Sequence, residues 1–259
     1  MKNDLYQFAD KYINFEIEGK VIKVPYSISK EGEKRAIGEL SSAGVTDRFA
    51  NYGGKGTPKQ IKELVLNTAE KENFNLKNAT SEEIENFMNK QGIGVDCSGF
   101  VYYVLDQYLK KEKNKSLDTL ILRYPGIIGK IECFLLQKNR VRRSSAATLT
   151  SNLNTIKIET VKNMRPSDMI RFTHSDWKGK HIAIIVSINQ AYITYAMTSQ
   201  YTEIQGARFG EIKIKDKNKG LEAQDWQERT KKGKNYGKDA FDPRRGDSVR
   251  RLKYLVFEI

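Results

Sequence analysis

Apolar positions in the first third of the chain recur at helical spacing, and those after residue 165 fall in short blocks that suit strands. Thr57-Pro58-Lys59-Gln60 predicts a helix start. Thr57 is the cap, Pro58 suits the first turn and Gln60 completes a capping box, with Ile61, Leu64 and Val65 forming the apolar face. Thr80-Ser81-Glu82-Glu83 repeats the device, with Ile84, Phe87 and Met88 facing inward and Gly92 and Gly94 ending the helix. A third helix begins near Cys97, and Phe100, Val101, Val104, Leu105, Tyr108 and Leu109 give it a broad core face. Val21–Ser29 reads as a short strand that Pro25 places on an edge. Further strands are predicted at Met169–Phe172, His181–Ile188 and Tyr192–Met197, at the alternating stretch Glu211–Lys215, and at Leu252–Ile259. Leu221–Arg229 is predicted as a helix and Lys231–Lys238 as a basic loop. Helices first and strands later predict an α+β fold rather than βαβ alternation.

Composition narrows the functional classes. The chain has 259 residues, 39% of them hydrophobic, and only two Cys and two His. That is too apolar for a disordered chain and too poor in Cys for a disulfide scaffold. The net charge of +13 favours an anionic partner or neighbourhood, although scattered lysines can equally be a solvated surface. Two dense basic patches stand out. One is Lys138, Arg140, Arg142 and Arg143, and the other is Lys231, Lys232, Lys234 and Lys238. Neither has the interleaved aromatics of a base-stacking platform, which argues against nucleic acid. The N-terminus Met1-Lys2-Asn3-Asp4-Leu5-Tyr6 has no apolar signal region, and no apolar run is long enough for a membrane span. The expectation is a cytoplasmic protein or one released by lysis, in a reducing compartment.

Chemistry concentrates in Gly94-Val95-Asp96-Cys97-Ser98-Gly99-Phe100-Val101. A Cys that opens an amphipathic helix meets free N–H groups and positive potential, which favour the thiolate and hence a nucleophile. The same N–H groups, those of Cys97 and Ser98, suit an oxyanion. Asp96 reads as the cap that holds the loop. His181, at the head of an apolar strand, is the matching base. His174 reads as a loop residue and Cys133 as core. A zinc site built from the two Cys and two His lacks any supporting spacing, and no cofactor is expected. Tyr52-Gly53-Gly54-Lys55-Gly56 is not a phosphate loop, because Lys-Ser/Thr does not follow at the required spacing.

Asp96-Cys97-Ser98-Gly99-Phe100-Val101 resembles the nucleophile motif of the NlpC-type cell-wall cysteine peptidases, a papain-like group. Pro166-Ser167-Asp168-Met169-Ile170 is similar to that family's Pro-Gly-Asp segment, and His181-Ile182-Ala183-Ile184-Ile185 to its His-led strand, in the same order. The resemblance covers about residues 92 to 199. It implies a papain-like α+β fold in which the nucleophile helix packs on an antiparallel sheet that carries the His. It further implies hydrolysis of amide bonds in peptides, with peptidoglycan stem peptides as the substrate class. The family's third polar residue, usually a His that orients the catalytic imidazole, has no counterpart among the acids, Asn or His of Ile193–Gln200. Thr194, Tyr195, Thr198, Ser199 and Gln200 are candidates, with Tyr195 favoured because Tyr-Ala overlays the family's His-Ala. A slip in register instead places Met197 there, where it orients nothing.

The domain reading is an N-terminal extension over 1–90 packed on a peptidase-like domain over 91–259, with an insertion around 110–163. Two other functions fit the same residues. An intracellular thiol amidase or acyltransferase would use the same pair, and an inactive module would use the basic surface to hold an anionic polymer.

Overall fold

A computed structural model of the protein describes residues 3–27, 54–117, 141, 144–173 and 180–256. Cys133, His174, the first basic patch and the end of the predicted C-terminal strand lie outside the described residues.

Helix starts follow the local capping chemistry. Helix α1 (Asp4–Ile13) is capped by Asn3, whose side chain accepts from the Tyr6 amide. Helices α2 (Pro58–Lys71) and α3 (Ser81–Lys90) each carry a complete capping box, Thr57 with Gln60 and Thr80 with Glu83. Helix α4 (Cys97–Lys113) is capped by Asp96 and ends at Asn114 in the left-handed conformation. The short helices α5 (Ala146–Leu149) and α6 (Tyr236–Ala240) complete the α-helices among the described residues.

Strands β1 (Phe15–Ile17) and β2 (Lys20–Ile22) form a small hairpin. The main sheet is antiparallel and holds β3 (Thr155–Ile158), β4 (Met169–Phe172), β5 (His181–Ile188), β6 (Tyr192–Ser199), β7 (Gly206–Lys213), β8 (Asp225–Trp226) and β9 (Ser248–Leu252), in the spatial order β3-β9-β4-β5-β6-β7-β8. This is the mixed helix and antiparallel-sheet composition expected of an α+β chain.

Strand alternation gives the sheet two apolar faces. Ile182, Ile184, Val186 and Ala196 pack with Phe100, Val101, Val104 and Leu105 of α4, and with Leu5, Ala9 and Tyr12 of α1. Ala183, Ile185, Tyr195 and Met197 face the other way, onto Trp226, Tyr236 and Phe241. The N-terminal residues therefore share one core with α4, the helix that Cys97 opens. The Tyr12 hydroxyl also donates to the Gly56 carbonyl at 2.9 Å, tying α1 to the loop before α2.

Several predicted elements differ from those observed. Leu221–Arg229 is not a helix. It forms a 3₁₀ turn at Leu221–Ala223 and then β8, because Trp226 pairs with Ile212 at the sheet edge and buries its indole against Phe172 and Tyr195. The predicted basic loop at Lys231–Lys238 contains the start of α6, capped by Asn235. The last strand lies earlier than predicted, at Ser248–Leu252, and is followed by a 3₁₀ turn at Lys253–Leu255. The stretch read as an insertion supplies an edge strand of the main sheet, since β3 pairs with β9.

Candidate active site

The loop that delivers Cys97 is held from both sides. The Val95 amide donates to the Pro25 carbonyl at 3.0 Å, and the Asp96 amide to the Gly54 carbonyl at 2.8 Å. The approach is so close that a Cβ on Gly99 would lie 2.4 Å from the Gly54 oxygen, so the glycine two residues after Cys97 is a packing requirement. Asp96 caps α4 by accepting from the Gly99 amide at 2.6 Å and from the Ser98 hydroxyl at 3.0 Å. Lys55 Nζ lies 2.9 Å from each Asp96 carboxylate oxygen and donates to Ser98 Oγ. Asp96 and Ser98 are thus brought together with Cys97 as expected, and Lys55 joins them.

Cys97 is 7% exposed. The backbone amides of Ser98 and of Ile182, the first residue after His181, favour negative charge on its sulfur. Helix α4 and the strand headed by His181 pack together, Phe100, Val101, Val104 and Leu105 against Ile182, Ile184 and Val186. Burial pushes the Cys97 thiol up to about 12, and the Asp96 carboxylate adds to the rise. Lys55 and the two amides pull the other way and do not prevail. The expectation that the helix terminus favours thiolate is therefore corrected: the terminus supplies N–H groups, but desolvation outweighs them.

His181 is 2% exposed and belongs to the aromatic face of the sheet, with its ring centroid 5.6 Å from that of Phe172. Burial, and secondarily the positive charge of Arg208, hold its pKa down at about 3. The imidazole is accordingly neutral at ordinary pH. Met197 Sδ lies 3.3 Å from His181 Nε2.

Tyr195, favoured as the orienting residue, is placed differently. It pairs across β5 with Ile185, and its hydroxyl donates to Glu228 Oε2 at 2.6 Å, where Glu228 is also the ion-pair partner of Arg208. The register therefore gives the position beside the ring to Met197. The thioether is not inert there: it is a weak acceptor within bonding distance of Nε2.

Two tyrosines complete the surroundings. Tyr26 bridges to Val95 and is raised by burial first and by Cys97 and Asp96 next; Tyr236 is raised mainly by burial, with Cys97 a smaller contributor. The Tyr236 hydroxyl also reaches Met197 Sδ at 3.8 Å. Tyr26 and Lys55 were missed in the sequence because each is carried to Cys97 by a distant segment. The only local signal was the glycine beside Lys55.

Among the described residues, no group of three or more His, Cys, Asp or Glu side chains is placed to hold a metal. No helix among them is long and apolar enough to cross a membrane. The second basic patch, Lys231, Lys232, Lys234 and Lys238, is exposed. The chain matches no protein-family model, no curated protein and no solved structure with which it was compared.

Proposed function

We propose that the protein is a cysteine peptidase or amidase that hydrolyses amide bonds of peptides, with bacterial peptidoglycan stem peptides as its substrate class. One observation carries the reading. Cys97 opens a 17-residue helix that packs on the strand headed by His181. The substrate class rests on the resemblance of the Asp96–Val101 motif and on the +13 charge, which suits an anionic wall polymer.

The chemistry follows from two neutral groups. The base is the neutral imidazole of His181, whose Nε2 lies 3.3 Å from Met197 Sδ. Sulfur attacks the carbonyl carbon as its proton passes to the imidazole of His181. The resulting oxyanion is met by backbone N–H groups at the start of α4. Collapse breaks the C–N bond, and the imidazolium returns its proton to the leaving amine. Water then attacks the thioester, with His181 taking its proton, and the acid and free thiol are released. Because burial disfavours both charged forms, proton transfer accompanies attack rather than preceding it.

The test is mass spectrometry of products released from purified peptidoglycan. Wild type and Cys133→Ser are expected to release peptides, whereas Cys97→Ala and His181→Ala release none while keeping wild-type circular dichroism. Full activity in Cys97→Ala would end the proposal. The deep burial of both groups favours a second reading, an inactive wall-binding module. In that case wild type and Cys97→Ala would sediment equally with peptidoglycan and neither would release peptides.

A further inference from the structure

We propose that Lys55 is a positioning residue for Cys97: its ammonium cancels the Asp96 carboxylate that caps α4, so the cap does not oppose negative charge on the sulfur. This deepens the reading of Cys97 as the nucleophile and rests on it.

The conflict is built into the motif. The start of α4 needs an acceptor for its free amides, and Asp96 supplies one to Gly99. Yet a carboxylate one residue before the nucleophile repels a thiolate. Lys55 lies where it removes that repulsion, at 2.9 Å from both Asp96 oxygens and bonded to Ser98 Oγ. Its side chain is only 9% exposed, so bulk water screens the pair weakly.

The lysine is held in place by backbone. Lys55 bridges to Val95, and the Asp96 amide donates to Gly54, which adopts a φ of +76°. A Cβ at Gly99 would press on the Lys55 backbone as well as on the Gly54 oxygen. The loop that failed as a phosphate cradle thus has a different use, which is to carry one cation under a helix cap.

The other titratable groups around the sulfur are uncharged near neutrality. Tyr26 on the segment after β2 and Tyr236 on α6 are both raised by burial, and His181 on β5 is neutral above about 3. Farther out, Arg208 is paired with Glu228. Asp96 and Lys55 are therefore the charges that act on Cys97, with opposite signs.

The experiment is the pH dependence of Cys97 alkylation by iodoacetamide in a Cys133→Ser background, for Lys55→Met, Asp96→Asn, the double variant and Lys55→Arg. Lys55→Met is expected to slow labelling about 10-fold at fixed pH below the midpoint, equivalent to a one-unit upward shift. Asp96→Asn keeps a competent cap and should label at least as fast as wild type. The double variant should return to within about 2-fold of wild type, since both charges are gone, and Lys55→Arg should retain the wild-type profile. If Lys55→Met labels like wild type, or if the double variant is as slow as Lys55→Met, the proposal is overturned and Lys55 is a structural clamp. Should Lys55→Met not fold, the double variant and Lys55→Arg decide the matter. Labelling needs no turnover, so a failure here is separable from a failure to hydrolyse peptidoglycan.

Discussion

At the scale of single residues, the site is defined by which atoms can donate and which can only accept. Met197 is the clearest case. Its sulfur sits 3.3 Å from His181 Nε2 and also receives the Tyr236 hydroxyl at 3.8 Å. The proposed reaction uses this neutral imidazole as its base. A thioether holds the ring less firmly than a carboxylate or a second imidazole would. Met197→Leu conserves volume and should fold normally. It removes only the acceptor, worth about 1 kcal/mol, so kcat on a peptidoglycan substrate should fall about 5-fold with KM unchanged. An unchanged kcat, or a change in KM alone, would remove Met197 from the role. Tyr195 shows why the sequence could not decide this point. It and Met197 are two residues apart on one face of β6, so both register choices were open. Only pairing with β7 and the contact with Glu228 separate them.

Elements whose ends depend on neighbouring residues were legible in the sequence, and those that depend on distant partners were not. The capping boxes at Thr57 and Thr80 act over three residues, and both helices begin where those residues say. Strand β5 carries an apolar run from Ile182 to Val186 and β4 a short one broken by Arg171, and their bounds match the pattern. By contrast, β8 exists because Trp226 finds Phe172 and Tyr195 across the sheet, which no local pattern records. The link between β4 and β9 is equally hidden. Asp168, fully buried, accepts from Arg251 Nε at 2.7 Å and Nη2 at 2.8 Å, and the same guanidinium donates to the Asn163 carbonyl. Arg251 pairs in β9 with Ile156 of β3 and Asp168 immediately precedes β4, so the ion pair fixes the start of β4 against β9. Burial raises the Asp168 carboxyl in spite of the arginine, so the pair is poorly solvated rather than strongly stabilising. Removing one partner is what costs. Asp168→Ala leaves a buried guanidinium without its carboxylate and should lower unfolding free energy by about 3–5 kcal/mol in urea titrations. A loss below about 1 kcal/mol would mean that water replaces the carboxylate and that the strands do not depend on it.

For the molecule as a whole, two buried neutral groups set a pH window for stability. His181 titrates near 6.5 in the unfolded chain but at about 3 in the fold. Between those values the unfolded state binds the proton and the folded state does not, so stability is complete above 6.5 and is lost as pH falls toward 3. Cys97 acts at the other end. Its ordinary value near 9 rises to about 12, so between those values the unfolded chain has lost a proton that the fold still holds, and stability falls as pH rises. Each group contributes a slope of up to about 1.4 kcal/mol per pH unit within its range. Asp168 and Asp247, both raised by burial, oppose the acid limb, so the wild-type curve alone cannot isolate His181. Variants can. In urea denaturation from pH 4 to 10.5, His181→Leu should flatten the acid limb relative to wild type and leave the alkaline one. Cys97→Ala should do the reverse. Were either limb to persist unchanged in its variant, that group would be solvated in the fold, and attack with simultaneous proton transfer would give way to a preformed ion pair.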